Sequence, residues 1–190
     1  MSETKNIMIV GVGGQGTLLA SRILGNAVIN EGYDVKVSEV HGMSQRGGSV
    51  VTYVKYGEKV HSPIIDKGEA DIILAFERLE ALRALPYLKK GGKIILNDRA
   101  ISPMPVITGV AKYPDDIVKM LSEKAETVAI DALDLSIKAG SPKAVNVVLI
   151  GLLAKSTSIT YESWVKVIKE TVPEKFLELN LKAFDLGYNA

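Results

Sequence analysis

"NIMIVGVGGQGTLLASRILGNAVINEGYDVKVSEV", Asn6 to Val40, decides the fold of this chain. Asn6 to Val12 is a nearly continuous apolar run interrupted by glycine, the pattern of a strand buried on both faces of a sheet. After Gln15 the period changes. Ala20, Ile23, Leu24, Ala27 and Val28 recur at helical spacing, and Gly32 supplies a stop. Val35, Val37 and Val40 then mark a second strand. Strand, glycine loop, helix and strand in succession predict a parallel α/β sheet with a right-handed crossover.

The next stretch, "SVVTYVKYGEKVHSP", alternates. Val51, Tyr53 and Lys55 face one way, and Val50, Thr52 and Val54 the other. Gly57-Glu58 then turns the chain into a short return strand, which predicts an antiparallel hairpin. "ADIILAF" (Ala70 to Phe76), "KIILND" and "ETVAIDA" read as further buried strands. "RLEALRALPYLKKGG" reads as a helix, with Leu79, Leu82, Leu85 and Leu88 at helical spacing and a double-glycine end. "PDDIVKMLSEKA" is another helix, and from Leu133 onward the chain is helical. "AVNVVLIGLLA" (Ala144 to Ala154) is its most apolar run; it contains Asn146 and falls short of the ~20 residues a bilayer requires. The expected fold is α/β: three-layer and Rossmann-like, a mostly parallel sheet with one antiparallel hairpin and a helical C-terminus. One domain is expected over residues 1–190.

Composition narrows the function classes. At 190 residues, 47% hydrophobic and 24% charged, the chain can bury a substantial core. Its 23 basic and 22 acidic residues leave a net charge of +1, without the basic surplus of a nucleic-acid binder. It has no cysteine, which excludes disulfides, a thiolate nucleophile and a cysteine-ligated iron–sulfur cluster. With only His41 and His61, no metal site is expected. "MSETKNIMIVGVGG" carries no signal-peptide pattern, so a cytoplasmic protein with no membrane partner is expected.

"GVGGQG", Gly11 to Gly16, fits G-x-G-x-x-G between a strand and a helix. Gly13, Gly14, Gln15 and Gly16 would bring amide N–H groups to a helix N-terminus, where phosphates and carboxylates bind. Three readings stay open: a dinucleotide, another anion, or close strand–helix packing. For the first, Glu39 lies at the end of the second strand, where an acidic residue would hold ribose hydroxyls. That alternative is a free-standing NAD-binding protein.

"HGMSQRGGSV", His41 to Val50, is harder to explain as packing. It follows the second strand, at the carboxyl edge of the sheet where ligands bind in open α/β folds. His41 is suited to proton exchange near neutral pH, and Arg46 to gripping a carboxylate or phosphate. Ser44 and Gln45 add polar groups, and Gly47-Gly48 allow close backbone approach. Each also has a plain reading: His41 ends a strand, Arg46 is a solvated charge, Met43 fills a gap. No catalytic set emerges, and Asp98 and Asp131, at other strand ends, are equally suited to capping helices. The site looks like half of one.

Taken together, "IVGVGGQGTLLASRIL", "KVSEVHGMSQRGGSVVTYV" and "SPIIDKGEADIILAFERLEALR" resemble the gamma-type small subunits of 2-oxoacid:ferredoxin oxidoreductases. The similarity spans nearly the whole chain and is strongest from Ile7 to about Pro105. "EVHGMSQRGG" points to the branch represented by the beta subunit of indolepyruvate:ferredoxin oxidoreductase. The resemblance implies a subunit inactive alone, in an assembly that oxidatively decarboxylates 2-oxo acids to acyl-coenzyme A and reduces ferredoxin. It places thiamine diphosphate and the iron–sulfur clusters on a large partner subunit, in agreement with the absent cysteines. It turns the loops at Gly13–Gly16 and His41–Gly48 toward the partner's active site, and it makes the Glu39 match a coincidence.

Overall fold

The structure, a computed structural model, describes residues 4–41 and 47–190. Its sheet has six strands: β1 (Lys5–Val12), β2 (Asp34–His41), β3 (Ser49–Gly57), β4 (Ala70–Ala75), β5 (Leu88–Asn97) and β6 (Glu126–Ile130), in the order β2-β3-β1-β4-β5-β6. β1, β4, β5 and β6 run parallel, while β3 is antiparallel to both β1 and β2. The helices are α1 (Thr17–Asn30), α2 (Arg78–Ala84), α3 (Met104–Ile107), α4 (Ile117–Ser122), α5 (Ala132–Ala139), α6 (Val145–Ala154), α7 (Tyr161–Thr171) and α8 (Leu177–Tyr188).

The apolar runs of the central strands follow from two cores. Ile7, Ile9, Ile72, Leu74 and Ile95 pack on one side with α1, α6, α7 and α8. Met8, Val10, Ile73, Ile94 and Leu96 pack on the other with α2 and α4. A strand with both faces covered has no polar face to alternate with. The alternation expected in β3 holds, with Val54 in the first core and Val51 and Tyr53 against the second. Among the described residues, no helix is long and apolar enough to cross a membrane.

Three local expectations need correction. The hairpin exists, but it joins β2 to β3 at the opposite end, with His41 opposite Val50; no strand forms between Glu58 and Glu69. That segment is anchored at separate points instead: Val60 N donates to Asp34 Oδ2 at 2.9 Å, Gly68 N donates to Pro86 O at 3.1 Å, and Ile65 is buried in the second core. β1 and β2 are parallel but not neighbours, because β3 lies between them. The leucine-spaced α-helix stops at Ala84 and tightens into a 3₁₀ turn over Leu85–Tyr87, where Pro86 lacks the N–H that another α-helical turn needs. Leu88 already belongs to β5, and the double glycine sits inside that strand at a register shift, with Gly91 at φ 80°. The short α3 is an element the sequence pattern does not announce.

Candidate functional site

β1 delivers the glycine loop to the carboxyl edge of the sheet. A Cβ on Gly11 would stand 2.9 Å from Gln15 Oε1 and 3.0 Å from Phe76 Cβ, so a side chain there would displace the Gln15 amide from its place in the loop. Gly16 lies at φ 84°, in the left-handed region, and a Cβ there would meet Asn146 Nδ2 at 2.7 Å. Gln15 folds back into the protein. Its Oε1 accepts from Val12 N at 2.7 Å and its Nε2 donates to Phe76 O at 3.1 Å. The second side of the loop is held by Asn146 on α6, whose Nδ2 donates to Gly16 O at 3.3 Å.

The two stretches singled out in the sequence meet here. Gly13 N donates to Gly48 O at 2.9 Å, joining the glycine loop to the segment that enters β3. Gly47 lies at φ 80°. Ser44, Gln45 and Arg46 fall outside the described residues. α1 begins without a side-chain cap or an acidic residue in its first turn, so its leading amides and dipole favour an anion.

Two clefts of about 410 Å³ flank the loop, sharing Gly14 and Gly16. The first is bounded by Glu39 and His41 at the end of β2 and by Thr17 and Leu18 on α1. Glu39 therefore does approach the glycine loop, and it accepts weakly from Thr52 Oγ1 at 3.3 Å. The strand that carries it is two positions from β1. That places it ~10 Å away in the sheet, against ~5 Å for adjacent strands in a dinucleotide-binding unit.

The second cleft was missed from sequence. It runs between Gln15 of the loop, Asn97 and Arg99 at the end of β5, and Lys143 before α6. Two cations beside uncapped helix amides suit an anion with several charges. Asn97 is buried and cross-links the floor: Nδ2 donates to Phe76 O at 3.1 Å and Oδ1 accepts from Ala132 N at 3.1 Å. Asn146 left a signal in the sequence, one amide at the head of an otherwise apolar helix; Arg99 and Lys143 left none. Of the two aspartates, Asp131 caps α5, accepting from Asp134 N at 2.9 Å. Asp98 instead pairs with Arg78 at 2.5 Å and raises the pKa of that guanidinium above its ordinary value. The residues offer no home for an iron–sulfur cluster: there is no cysteine, and among the described residues no three His, Asp or Glu side chains gather as metal ligands.

Fold and site together define an α/β protein with a polar, anion-receptive edge. The profile of the pyruvate ferredoxin/flavodoxin oxidoreductase family matches residues 6–190, and the chain belongs to that family. It is 47% identical to indolepyruvate oxidoreductase subunit IorB of Pyrococcus horikoshii, over 97% of this chain and 95% of that one. Among solved structures it is similar to the gamma subunit of a keto/oxoacid ferredoxin oxidoreductase from Geobacter sulfurreducens. There the TM-score is 0.73 at 25% identity, over 97% of this chain and 96% of that one. The fold also recurs within 2-oxoglutarate:ferredoxin oxidoreductase from Magnetococcus marinus, with a TM-score of 0.76 at 19% identity, over the whole of this chain and 31% of that one.

Proposed function

We propose that this chain is the small subunit of a thiamine-dependent 2-oxoacid:ferredoxin oxidoreductase acting on aryl 2-oxo acids such as indolepyruvate. It forms one wall of an active site whose thiamine diphosphate and iron–sulfur clusters sit on a large partner subunit. The observation that carries the reading is the junction of the two glycine-rich segments through Gly13 N and Gly48 O, beside the Arg99–Lys143 cleft, in a chain without redox ligands. Kinship with the Pyrococcus subunit supplies the substrate class.

In this reading the chemistry at the 2-oxo carbon belongs to the thiamine cofactor, and this chain binds and orients. The cleft holds the phosphates of coenzyme A, while His41 and residues 44–48 contribute to the partner's site. Electrons leave for ferredoxin through the large subunit. Met104, Ile107 and Val110, exposed on and just after α3, are the kind of surface a permanent partner covers. The protein is one domain over residues 1–190 and works in the cytoplasm.

The test is viologen reduction driven by indolepyruvate and coenzyme A, with the large subunit alone and with this chain added. A rate that depends on both subunits supports the reading. Tight NADH binding by the isolated chain, lost in Glu39→Ala, together with no rate from the mixture, would replace it with the dinucleotide alternative.

A further inference from the structure

Two buried carboxylates remain that neither the clefts nor the cores require. Glu77 and Glu80, at the start of α2, are only 1% and 5% exposed. Glu80 Oε2 accepts from Ser49 Oγ at 2.5 Å, where the chain leaves the His41–Gly48 loop for β3. Its other oxygen accepts from Arg83 Nη1 at 2.6 Å. Glu77 Oε2 caps the helix, accepting from Glu80 N at 2.9 Å, and Oε1 accepts from Ile101 N at 2.9 Å and from the Tyr113 hydroxyl. Between them, Arg78 N donates to Arg99 O at 2.9 Å.

A helix cap alone calls for a short Ser, Thr, Asp or Asn. A packing role alone is better served by an apolar side chain, because buried charge is costly unless its acceptors are filled. Here the second oxygen of each glutamate is used, and on different segments: Glu80 reaches Ser49 at the start of β3, Glu77 reaches Ile101 in the strand-end segment that carries Arg99. We propose that Glu77 and Glu80 are positioning residues, a carboxylate bracket that sets the spacing between the Gly48–Ser49 entry into β3 and the Arg99 wall of the anion cleft. The ligand it aligns, coenzyme A, rests on the proposed function; the bracket itself does not.

The test starts at Ser49, which is exposed at the edge of the bracket and can lose its hydroxyl without a core defect. In the isolated chain, Ser49→Ala speeds hydrogen exchange at the amides of residues 48–50, and Glu77→Gln at those of residues 99–102, with unchanged exchange in β4. In the two-subunit enzyme, Ser49→Ala raises the KM for coenzyme A about tenfold, the size expected for one hydrogen bond to a charged group, with kcat kept; the melting temperature falls by a few degrees, because Glu80 Oε2 loses its partner. Ser49→Thr, which retains a hydroxyl, restores both readouts. Unchanged exchange in Ser49→Ala, or no recovery in Ser49→Thr, overturns the bracket. Faster exchange with an unaltered KM in an active enzyme overturns its positioning role. An inactive wild-type mixture refutes the proposed function instead, and the exchange measurement still decides the bracket.

Discussion

Phe76 O accepts from two side-chain amides, Gln15 Nε2 and Asn97 Nδ2, each at 3.1 Å. One carbonyl thereby ties the glycine loop to the ends of β4 and β5, and the loop's backbone is fixed before any ligand arrives. Gln15 thus spends its hydrogen bonds on the loop itself, and Arg99 and Lys143 carry the charge of the cleft. Arg99→Ala and Lys143→Ala should each raise the KM for coenzyme A about tenfold with little change in kcat, an effect that shrinks as salt is raised. On the proposed function Arg46 acts in the partner's site, so Arg46→Ala should lower turnover more than it weakens assembly, as titration of the large subunit would show. Equal losses would make Arg46 an interface residue. The glycines and His41, which line the first cleft, stood out in the sequence because their local spacing is unusual. Arg99 and Lys143 did not, because only the fold brings the end of β5 beside the head of α6.

At the scale of elements, α6 and α8 meet backbone to backbone. A Cβ on Gly151 would lie 2.2 Å from Phe184 O, and one on Gly187 would lie 1.9 Å from Val148 O. In Gly151→Ala the gain in helix propensity, ~1 kcal/mol, is outweighed by a clash costing about 3 kcal/mol or more. Calorimetry should record a net fall of several degrees in melting temperature. α7 and α8 share a second tie: Tyr161 donates to Asp185 Oδ1 at 2.5 Å, and that bond, with burial, pushes the Tyr161 pKa up to about 12. The protonated phenol is favoured in the folded state, so its contribution is complete below the ordinary tyrosine pKa of about 10 and is lost as pH rises toward 12. Tyr161→Phe should flatten the decline in melting temperature over that alkaline window. The core strands were legible because apolar runs bounded by glycine have few other uses. The pairing of β3 was not, since alternation shows that a strand has two faces but not which neighbours it takes. The length of α2 was misread because leucine spacing continued past Pro86, which the backbone could not follow.

For the whole molecule, the sheet order sets the working geometry. By entering between β1 and β2, β3 brings Gly48 directly beside the glycine loop and moves Glu39 a strand away from β1. An edge assembled this way is suited to meet a partner's site rather than to cradle a dinucleotide alone. The most direct measurement is therefore coenzyme-A-dependent viologen reduction with indolepyruvate, comparing the large subunit, this chain and their mixture. The account predicts a rate only in the mixture. Full activity from the large subunit by itself, or no rate from the mixture with any 2-oxo acid, would contradict it.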